Sequence, residues 1–200
     1  HSFFQKKMIP LESVMSKAWN KKIFENIQKK VDQSSKDLAE ERGACPDAAD
    51  YDIKERFSNK TAIAPTASIS IICGGTSPGV EPIAANSYTH KTLSGSFNVR
   101  NKYLKKLLAK HNKDDDETWS SITTNQGSVS HLDFLTKDEK DVFKTAFELN
   151  QKWIVELSAD RTPHISQAQS INIFLPADVH KKELHQIHFQ AWKKGLKSLY

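Results

Sequence analysis

The sequence predicts an α/β fold in which helices alternate with short strands, some of them parallel. Three patterns carry this prediction: apolar residues at helical spacing over residues 11–42, a second helical repeat after residue 136, and an apolar alternation over residues 170–176. An all-helical arrangement stays open as the alternative, because only three or four strands are visible in the sequence.

The first helix is predicted over residues 11–42, which contain no proline and are followed by Gly43. A short amphipathic helix is predicted over Lys102–Lys110. The acidic run at residues 114–117 predicts a solvated loop or the acidic start of a short helix toward Trp119. It lacks the glycine that a calcium-binding loop needs at its turning position.

A capping box predicts where the next helix begins. Thr136 and Glu139 have the spacing at which each side chain accepts a free backbone N–H at a helix start. The helix that follows has a single apolar stripe, formed by Val142, Ala146, Leu149, Trp153 and Leu157. Residues 170–176 then alternate as a strand that ends at a proline.

A last helix and the start of a last strand are predicted after residue 177. Asp178 is suited to cap the helix, and Gly195 marks its end. The residues expected on its buried side are Leu184, Ile187, His188 and Ala191. Residues 196–200 are expected to begin the next strand.

Composition and charge exclude several classes of protein. With 38% hydrophobic and 26% charged residues, the 200-residue chain has the composition of a soluble globular protein. It has no apolar run long enough to span a membrane and no signal peptide, so we expect a cytoplasmic protein with no membrane partner. The net charge of +5 arises from lysines spread over helix faces, which predicts solvated surfaces and no nucleic-acid partner.

Neither the cysteines nor the histidines form a recognisable metal motif. Cys45 and Cys73 are too far apart in sequence for a CxxC pair, and a reducing compartment fits them. His180, His185 and His188 crowd the last predicted helix, but no carboxylate or cysteine at matching spacing completes a metal site. We therefore predict helix-face histidines and no metal.

The stretch "TAIAPTASISIICGGTSPGVEP" is the candidate functional segment. Pro65 biases the preceding residue toward an extended conformation, so a strand is expected to stop there. Thr66 and Ser68 are suited to cap a helix, whose free N–H groups would bind phosphate or carboxylate. The β-branched run at residues 69–72 favours a strand instead. From the residues alone, both conformations stay open.

Five segments, in this order, resemble the C-terminal part of the large catalytic subunit of class I ribonucleoside-diphosphate reductase. They are "AIAPTASISII", "GVEPIAANSY", "LSGSFNVRNKYLKKLL", "ADRTPHISQAQSINIFLP" and "HFQAWKKGLKSLY". The resemblance implies that residues 1–200 are a partial catalytic domain, incomplete at both ends, from a ten-stranded α/β barrel. It also implies radical reduction of ribonucleoside diphosphates to deoxyribonucleoside diphosphates.

In that family the Pro-Thr-Ala-Ser turn holds the substrate's phosphates, largely through backbone N–H groups at a helix start. The resemblance therefore implies that Thr66, Ala67, Ser68 and Ile69 bind the substrate diphosphate, with Ser70 beside them. The fourth of these positions is often Thr or Ser in the family and is Ile here. A backbone N–H contact survives that difference, whereas a hydroxyl contact does not.

The resemblance also implies that Tyr200 is the first of two adjacent tyrosines that relay the radical from the small subunit. Cys45 and Cys73 match none of the family's redox cysteines and receive no redox role. No cofactor is expected within this segment. The whole enzyme is expected to need a small subunit with a metal-linked radical and the nucleotide effectors ATP, dATP, dTTP and dGTP.

The implied partners are a ribonucleoside diphosphate substrate, the small subunit, the rest of a homodimeric large subunit, and thioredoxin or glutaredoxin. The segment by itself is expected to be inactive, because the other catalytic groups lie upstream of these motifs in the family. Two alternatives stay open from the sequence: a free-standing basic module that binds nucleic acid, and a non-functional remnant of a split gene.

Overall fold

The structure is a computed structural model, and it describes residues 1–93 and 95–199. Its helices are α1 (Ser2–Lys6), α2 (Val14–Arg42), α3 (Pro46–Ala49), α4 (Ala67–Ile72), α5 (Lys102–Lys110), α6 (Asp116–Thr124), α7 (Lys137–Val142), α8 (Gln151–Arg161) and α9 (Lys181–Lys193). Two strands, β1 (Ser87–Thr92) and β2 (Gly95–Arg100), and a 3₁₀ turn (Thr162–His164) complete the elements.

The long helix α2 confirms the first helix prediction, with a later start. Ser13 caps it, because its hydroxyl accepts the backbone N–H of Ser16 at 3.1 Å. The predicted start at residue 11 is therefore wrong by three residues. Gly43 ends the helix with a φ of 83°, a conformation that glycine adopts without steric cost.

Strands β1 and β2 form an antiparallel hairpin in which Ser87 lies opposite Arg100. The sequence analysis did not predict this hairpin. Its signals were present but weak: Tyr and Thr in the first strand, and Gly95 directly after the turn. At the open end of the hairpin, the side-chain amide of Asn101 donates a hydrogen bond of 2.8 Å to Asn86 Oδ1.

Parallel pairing joins two distant segments of the chain. Ile63 forms an isolated parallel bridge with Gln169, and the N–H of Ser170 donates to the carbonyl oxygen of Ile63 at 2.8 Å. The predicted strands before Pro65 and over residues 170–176 are wrong as continuous strands, since the bridge is isolated.

Side chains take the place of strand partners after residue 170. The N–H of Asn172 donates to the Glu81 carboxylate at 3.2 Å, and that of Phe174 donates to the Gln151 side-chain oxygen at 2.9 Å. These bonds satisfy backbone donors that a neighbouring strand would otherwise pair. Residues 196–199 also adopt no strand, and Tyr200 lies outside the described residues.

The capping box is confirmed, but the single helix expected after it is wrong. Thr136 accepts the N–H of Glu139, whose carboxylate accepts the N–H of Thr136. The chain then leaves α7 after Val142, and α8 begins with Asn150 as its cap. Between them, the Glu148 carboxylate accepts the N–H of Thr145 at 2.8 Å, which competes with helical bonding.

The other helix predictions have mixed outcomes. Helix α5 has the predicted bounds, and the acidic run starts helix α6 with Asp115 as its cap. Helix α9 is capped by His180, whose Nδ1 accepts the N–H of Lys182, so the prediction for Asp178 is wrong. On α9, Ile187 and Ala191 are buried as expected.

Leu184 and His188 are exposed, which contradicts the buried side predicted for α9. The reason lies in what covers the helix. Within the described residues, the core contact between α9 and α8 includes Ile187 and Ala191 but neither Leu184 nor His188.

Two regions of core hold these elements. One lies between α5, α6 and the segment that leads into α7, and it contains Leu104, Leu108, Trp119, Ile122, Val129 and Phe143. The other surrounds α8, which packs against both α2 and α9, and it contains Phe4, Leu11, Ile154, Val155, Leu157, Ile171 and Ile187. Among the described residues, no helix is long and apolar enough to cross a membrane.

Candidate functional site

The turn at Thr66 joins the bridged segment around Ile63 to helix α4. Thr66 has φ 53° and ψ 29°, the left-handed region, and α4 begins at the next residue. Of the two conformations that the sequence left open, the structure has the helix, which is also the one that the family resemblance implied, despite the β-branched residues that follow. Left-handed backbone at a β-branched residue costs about 1–3 kcal/mol, so neighbouring contacts must hold it.

Thr66 does not cap α4 through its side chain, which corrects the sequence prediction. Its hydroxyl instead accepts the N–H of Gly79 at 2.6 Å. Gly79 has a φ of +48°, and a Cβ there would lie 2.9 Å from the carbonyl oxygen of Ala64. A side chain at Gly79 would collide with the strand end, so glycine allows the two segments to approach.

Helix α4 leaves three donors free at its start. Among the residues that the structure describes, the N–H groups of Ala67, Ser68 and Ile69 have no hydrogen-bond acceptor, as expected for a first helical turn. All three residues are exposed, Ile69 by 58% of its surface. Ser70 is buried, and its hydroxyl donates to the carbonyl oxygen of Ala67 at 2.6 Å.

The far end of α4 is fixed by its own turn and by a lysine. The N–H groups of Gly75 and Thr76 both donate to the carbonyl oxygen of Ser70 at 3.1 Å. Lys102, at the start of α5, donates to the carbonyl oxygen of Gly74 at 2.9 Å. The short helix is therefore held at both ends by contacts distant in sequence.

A cleft of about 510 Å³ adjoins this helix. Its lining is mainly apolar and comes from α4, the 75–85 segment and the hairpin: Ala67, Ser70, Ile71, Pro78, Pro82, Ile83, Tyr88, Val99, Arg100 and Phe174 are among the lining residues. Arg100 pairs with Asp116 at 2.8 Å and lies 5.2 Å from the centroid of the Trp119 ring, so its charge is partly balanced.

The cysteines and histidines do not assemble a metal site among the described residues. Cys45 is half-buried, Cys73 is exposed, and both are free. No group of three or more His, Cys, Asp or Glu side chains in residues 1–93 and 95–199 is placed to hold a metal. The His180 ring caps α9.

The structure thus brings Thr66, Ala67, Ser68, Ile69 and Ser70 into one helix start, whereas Tyr200 lies outside the residues it describes. Sequence reasoning missed the two contacts that hold α4 at its ends, from Gly79 to Thr66 and from Lys102 to Gly74. The Pro-Gly pair at residues 78–79 signalled a turn there, but nothing local indicated where the turn would dock.

The fold and the turn define part of an α/β domain in which a helix start follows the end of a paired segment. A family model described as "Ribonucleotide reductase, barrel domain" matches residues 48–200. The chain therefore belongs to the ribonucleotide reductase barrel-domain family. The predicted resemblance and the prediction of an α/β fold that forms part of this barrel are confirmed.

Curated relatives agree with this assignment. The chain is 48% identical over its whole length to the ribonucleoside-diphosphate reductase large subunit of Invertebrate iridescent virus 6, of which it covers 21%. It is 32% identical to the large subunit of Danio rerio, with 94% of the chain and 27% of that protein aligned. The chain spans less than a third of the length of these relatives.

A solved structure is also similar. The class Id ribonucleotide reductase alpha subunit of Actinobacillus ureae matches the whole chain with a TM-score of 0.92 and 37% sequence identity. The chain covers 36% of that subunit. The likeness therefore extends over every element described above.

Proposed function

We propose that residues 1–200 form part of the catalytic barrel of a class I large subunit that reduces ribonucleoside diphosphates. Within it, the turn at Thr66, Ala67, Ser68, Ile69 and Ser70 holds the substrate diphosphate. The observation that carries this proposal is the exposed start of α4, where three N–H groups have no acceptor in the described part of the chain.

The chemistry of the turn suits a diphosphate. Free N–H groups at a helix start donate hydrogen bonds and present the positive end of the peptide dipoles, so they bind phosphate oxygens without a charged side chain. Because α4 has only six residues, its dipole is small and direct hydrogen bonds supply most of the attraction. Ile69 contributes its N–H and no hydroxyl.

The remaining roles extend the proposal to the whole enzyme. Tyr200 passes a radical between a metal-containing small subunit and the active site, thioredoxin or glutaredoxin supplies electrons, and ATP, dATP, dTTP and dGTP act as effectors. The location is cytoplasmic. Support comes from the relatives, which are ribonucleoside-diphosphate reductase large subunits.

The test uses a grafted large subunit, in which residues 1–200 replace the matching segment of the Invertebrate iridescent virus 6 protein. Binding of a ribonucleoside diphosphate and of its parent nucleoside is measured by titration calorimetry. Ser68→Pro removes one N–H at the second helical position, where proline is tolerated. We expect diphosphate affinity to fall about tenfold or more, since hydrogen bonds to charged groups contribute ~1.5–3 kcal/mol.

Two matched variants control this experiment. Ser68→Ala keeps the N–H and is expected to bind the diphosphate as the wild type does. Glu117→Pro places proline at the same position of helix α6, on an exposed residue distant in sequence from the turn, and is also expected to leave binding unchanged. Equal affinity of Ser68→Pro and wild type, or an equal loss in Glu117→Pro, would overturn the phosphate assignment.

A further inference from the structure

A buried arginine lies between the two parts of the chain that the proposed function uses. Arg161, at the end of α8, is only 4% exposed. Its guanidinium donates three hydrogen bonds, all to neutral oxygens: Gln169 Oε1 at 2.5 Å, Ser158 Oγ at 2.8 Å and Asn20 Oδ1 at 3.3 Å. Burying a charge with neutral partners is costly, so such a group requires a structural or functional reason.

The side-chain amide of Gln169 forms three hydrogen bonds with Arg161 and its neighbours. Its side-chain oxygen accepts from Arg161, and its side-chain nitrogen donates to the Ser158 carbonyl oxygen at 3.0 Å and to Thr162 Oγ1 at 2.8 Å. The last turn of α8 therefore fixes the side chain of Gln169 from three directions. Burial lowers the pKa of Arg161 to about 9, so the guanidinium still carries its charge at neutral pH.

The segment around Gln169 contacts the extended residues 61–63, which lead to the phosphate turn. The N–H of Gln167 donates to the carbonyl oxygen of Thr61 at 3.0 Å, and the N–H of Ile63 donates to that of Ala168 at 3.1 Å. Only Ala64 and Pro65 separate Ile63 from the turn. The Gln169 segment is therefore hydrogen-bonded to the chain close to the start of α4.

The same segment also holds the stretch that precedes Tyr200. Lys197 Nζ donates to the carbonyl oxygen of Ser166 at 2.8 Å and to that of Gln167 at 3.2 Å. The hydroxyl of Ser198 donates to the carbonyl oxygen of Gln169 at 3.2 Å. Residues 166–169 thus contact both the segment that precedes the turn and the segment that precedes Tyr200.

We propose that Arg161 is a positioning residue that, through Gln169, sets the phosphate turn and the segment before Tyr200 in register with one another. This inference rests on the proposed function for its enzymatic consequence. Its structural content stands apart from that function, because it concerns the hydrogen bonds of Arg161 and Gln169 and not those of the turn. The role requires the planar fork of arginine, which reaches α2, α8 and Gln169 at once.

The test compares Arg161→Met, Arg161→Lys and wild type in the grafted large subunit, without ligand, by amide hydrogen exchange. We expect the amides of Ile63 and Ser170 to exchange about tenfold faster in both variants, the factor that one lost charge-assisted hydrogen bond gives. Arg161→Lys keeps the aliphatic stem and the positive charge. It is therefore the variant to measure if Arg161→Met does not fold.

A matched control separates positioning from general stability. Lys144→Met removes a part-buried cation that bonds Glu12 at 2.8 Å and Asp141 at 3.0 Å, outside the Gln169 network. It is expected to lower the melting temperature while leaving the exchange of Ile63 and Ser170 unchanged. Unchanged exchange of these two amides in Arg161→Lys, or equal acceleration in Lys144→Met, overturns the inference.

A double mutant and a binding measurement complete the test. If Arg161 acts through Gln169, Arg161→Lys with Gln169→Leu should accelerate exchange no more than the larger single effect. Diphosphate affinity should fall in parallel, with affinity for the parent nucleoside unchanged. Faster exchange with unchanged diphosphate affinity, in a protein where Ser68→Pro also has no effect, would retain the positioning role and reject the phosphate turn.

Discussion

Thr66→Val tests how the proposed phosphate turn is held. Valine has the shape of threonine but no hydroxyl. The substitution therefore removes Thr66 Oγ1, which accepts the N–H of Gly79 at 2.6 Å in the structure. The left-handed backbone of residue 66, with φ 53°, stays equally unfavourable for a β-branched side chain. The variant therefore isolates the one hydrogen bond that ties the strained residue to the 74–79 segment.

The expected magnitude follows from the exposure of this contact. A neutral hydrogen bond contributes about 0.5–1.5 kcal/mol to stability. Because Gly79 is exposed, water can replace the lost acceptor, so we assign ~1 kcal/mol to the hydrogen bond between Gly79 and Thr66. The same turn carries about 1–3 kcal/mol of backbone strain, so losing the bond shifts the turn toward a relaxed conformation. If only the observed turn binds, the diphosphate affinity falls by up to about fivefold.

The assay is calorimetric titration of the grafted large subunit with a ribonucleoside diphosphate. Thr66→Ser is the matched control, because it keeps the hydroxyl and removes only the methyl group, and it should bind as the wild type does. The reasoning is refuted if Thr66→Val binds as tightly as Thr66→Ser, or if the serine variant loses as much affinity as the valine variant.

Two further predictions concern the helix cap and the radical relay. Burial would raise the pKa of Glu139, but hydrogen bonds from His111 and Thr136 hold it below its ordinary 4.5; its stabilisation is thus present above that value and lost as the pH falls through the lower folded-state pKa. Glu139→Gln should therefore lower the unfolding free energy at pH 7 by about 1 kcal/mol, with a lower melting temperature. In calorimetric scans, this difference in unfolding free energy should shrink below pH 4.5. Tyr200→Phe should abolish diphosphate reduction with the diphosphate affinity unchanged, since the ring stays and only the oxidisable hydroxyl is lost; residual turnover in a radiolabel assay would reject the relay role.

Local signals in the sequence predicted the helix boundaries that depend on neighbouring residues. The capping box at Thr136 and Glu139 and the bounds of α5, with Asn101 as its cap, both depend on contacts within a few residues. In each case the side chain that fixes the boundary lies beside it, so spacing alone carries the information.

Features fixed by distant segments could not be predicted in this way. The Thr66 hydroxyl was expected to cap α4, but it bonds Gly79 instead, because the 74–79 segment folds back onto the strand end. Between α7 and α8, the Glu148 side chain accepts the N–H of Thr145. Residues 143–149 contain neither glycine nor proline, so no residue type in this segment signals the break. Neither contact leaves a periodic signal in the sequence.

The candidate site shows the same division. From the residues alone, a strand and a helix after Pro65 both stayed open, and the family resemblance supplied both the helix start and the ligand. The buried contact between Arg161 and Gln169 was not predicted, because an arginine near a helix end is ordinarily exposed. Its importance emerges only when the parallel pairing of residues 61–63 with residues 167–170 is known.

The most direct test of the central claim is the structure of the grafted large subunit with a bound ribonucleoside diphosphate, at a resolution that shows the phosphate oxygens. We expect those oxygens within hydrogen-bond distance of the N–H groups of Ala67, Ser68 and Ile69. A diphosphate bound elsewhere in the barrel, with these three donors facing water, would contradict it.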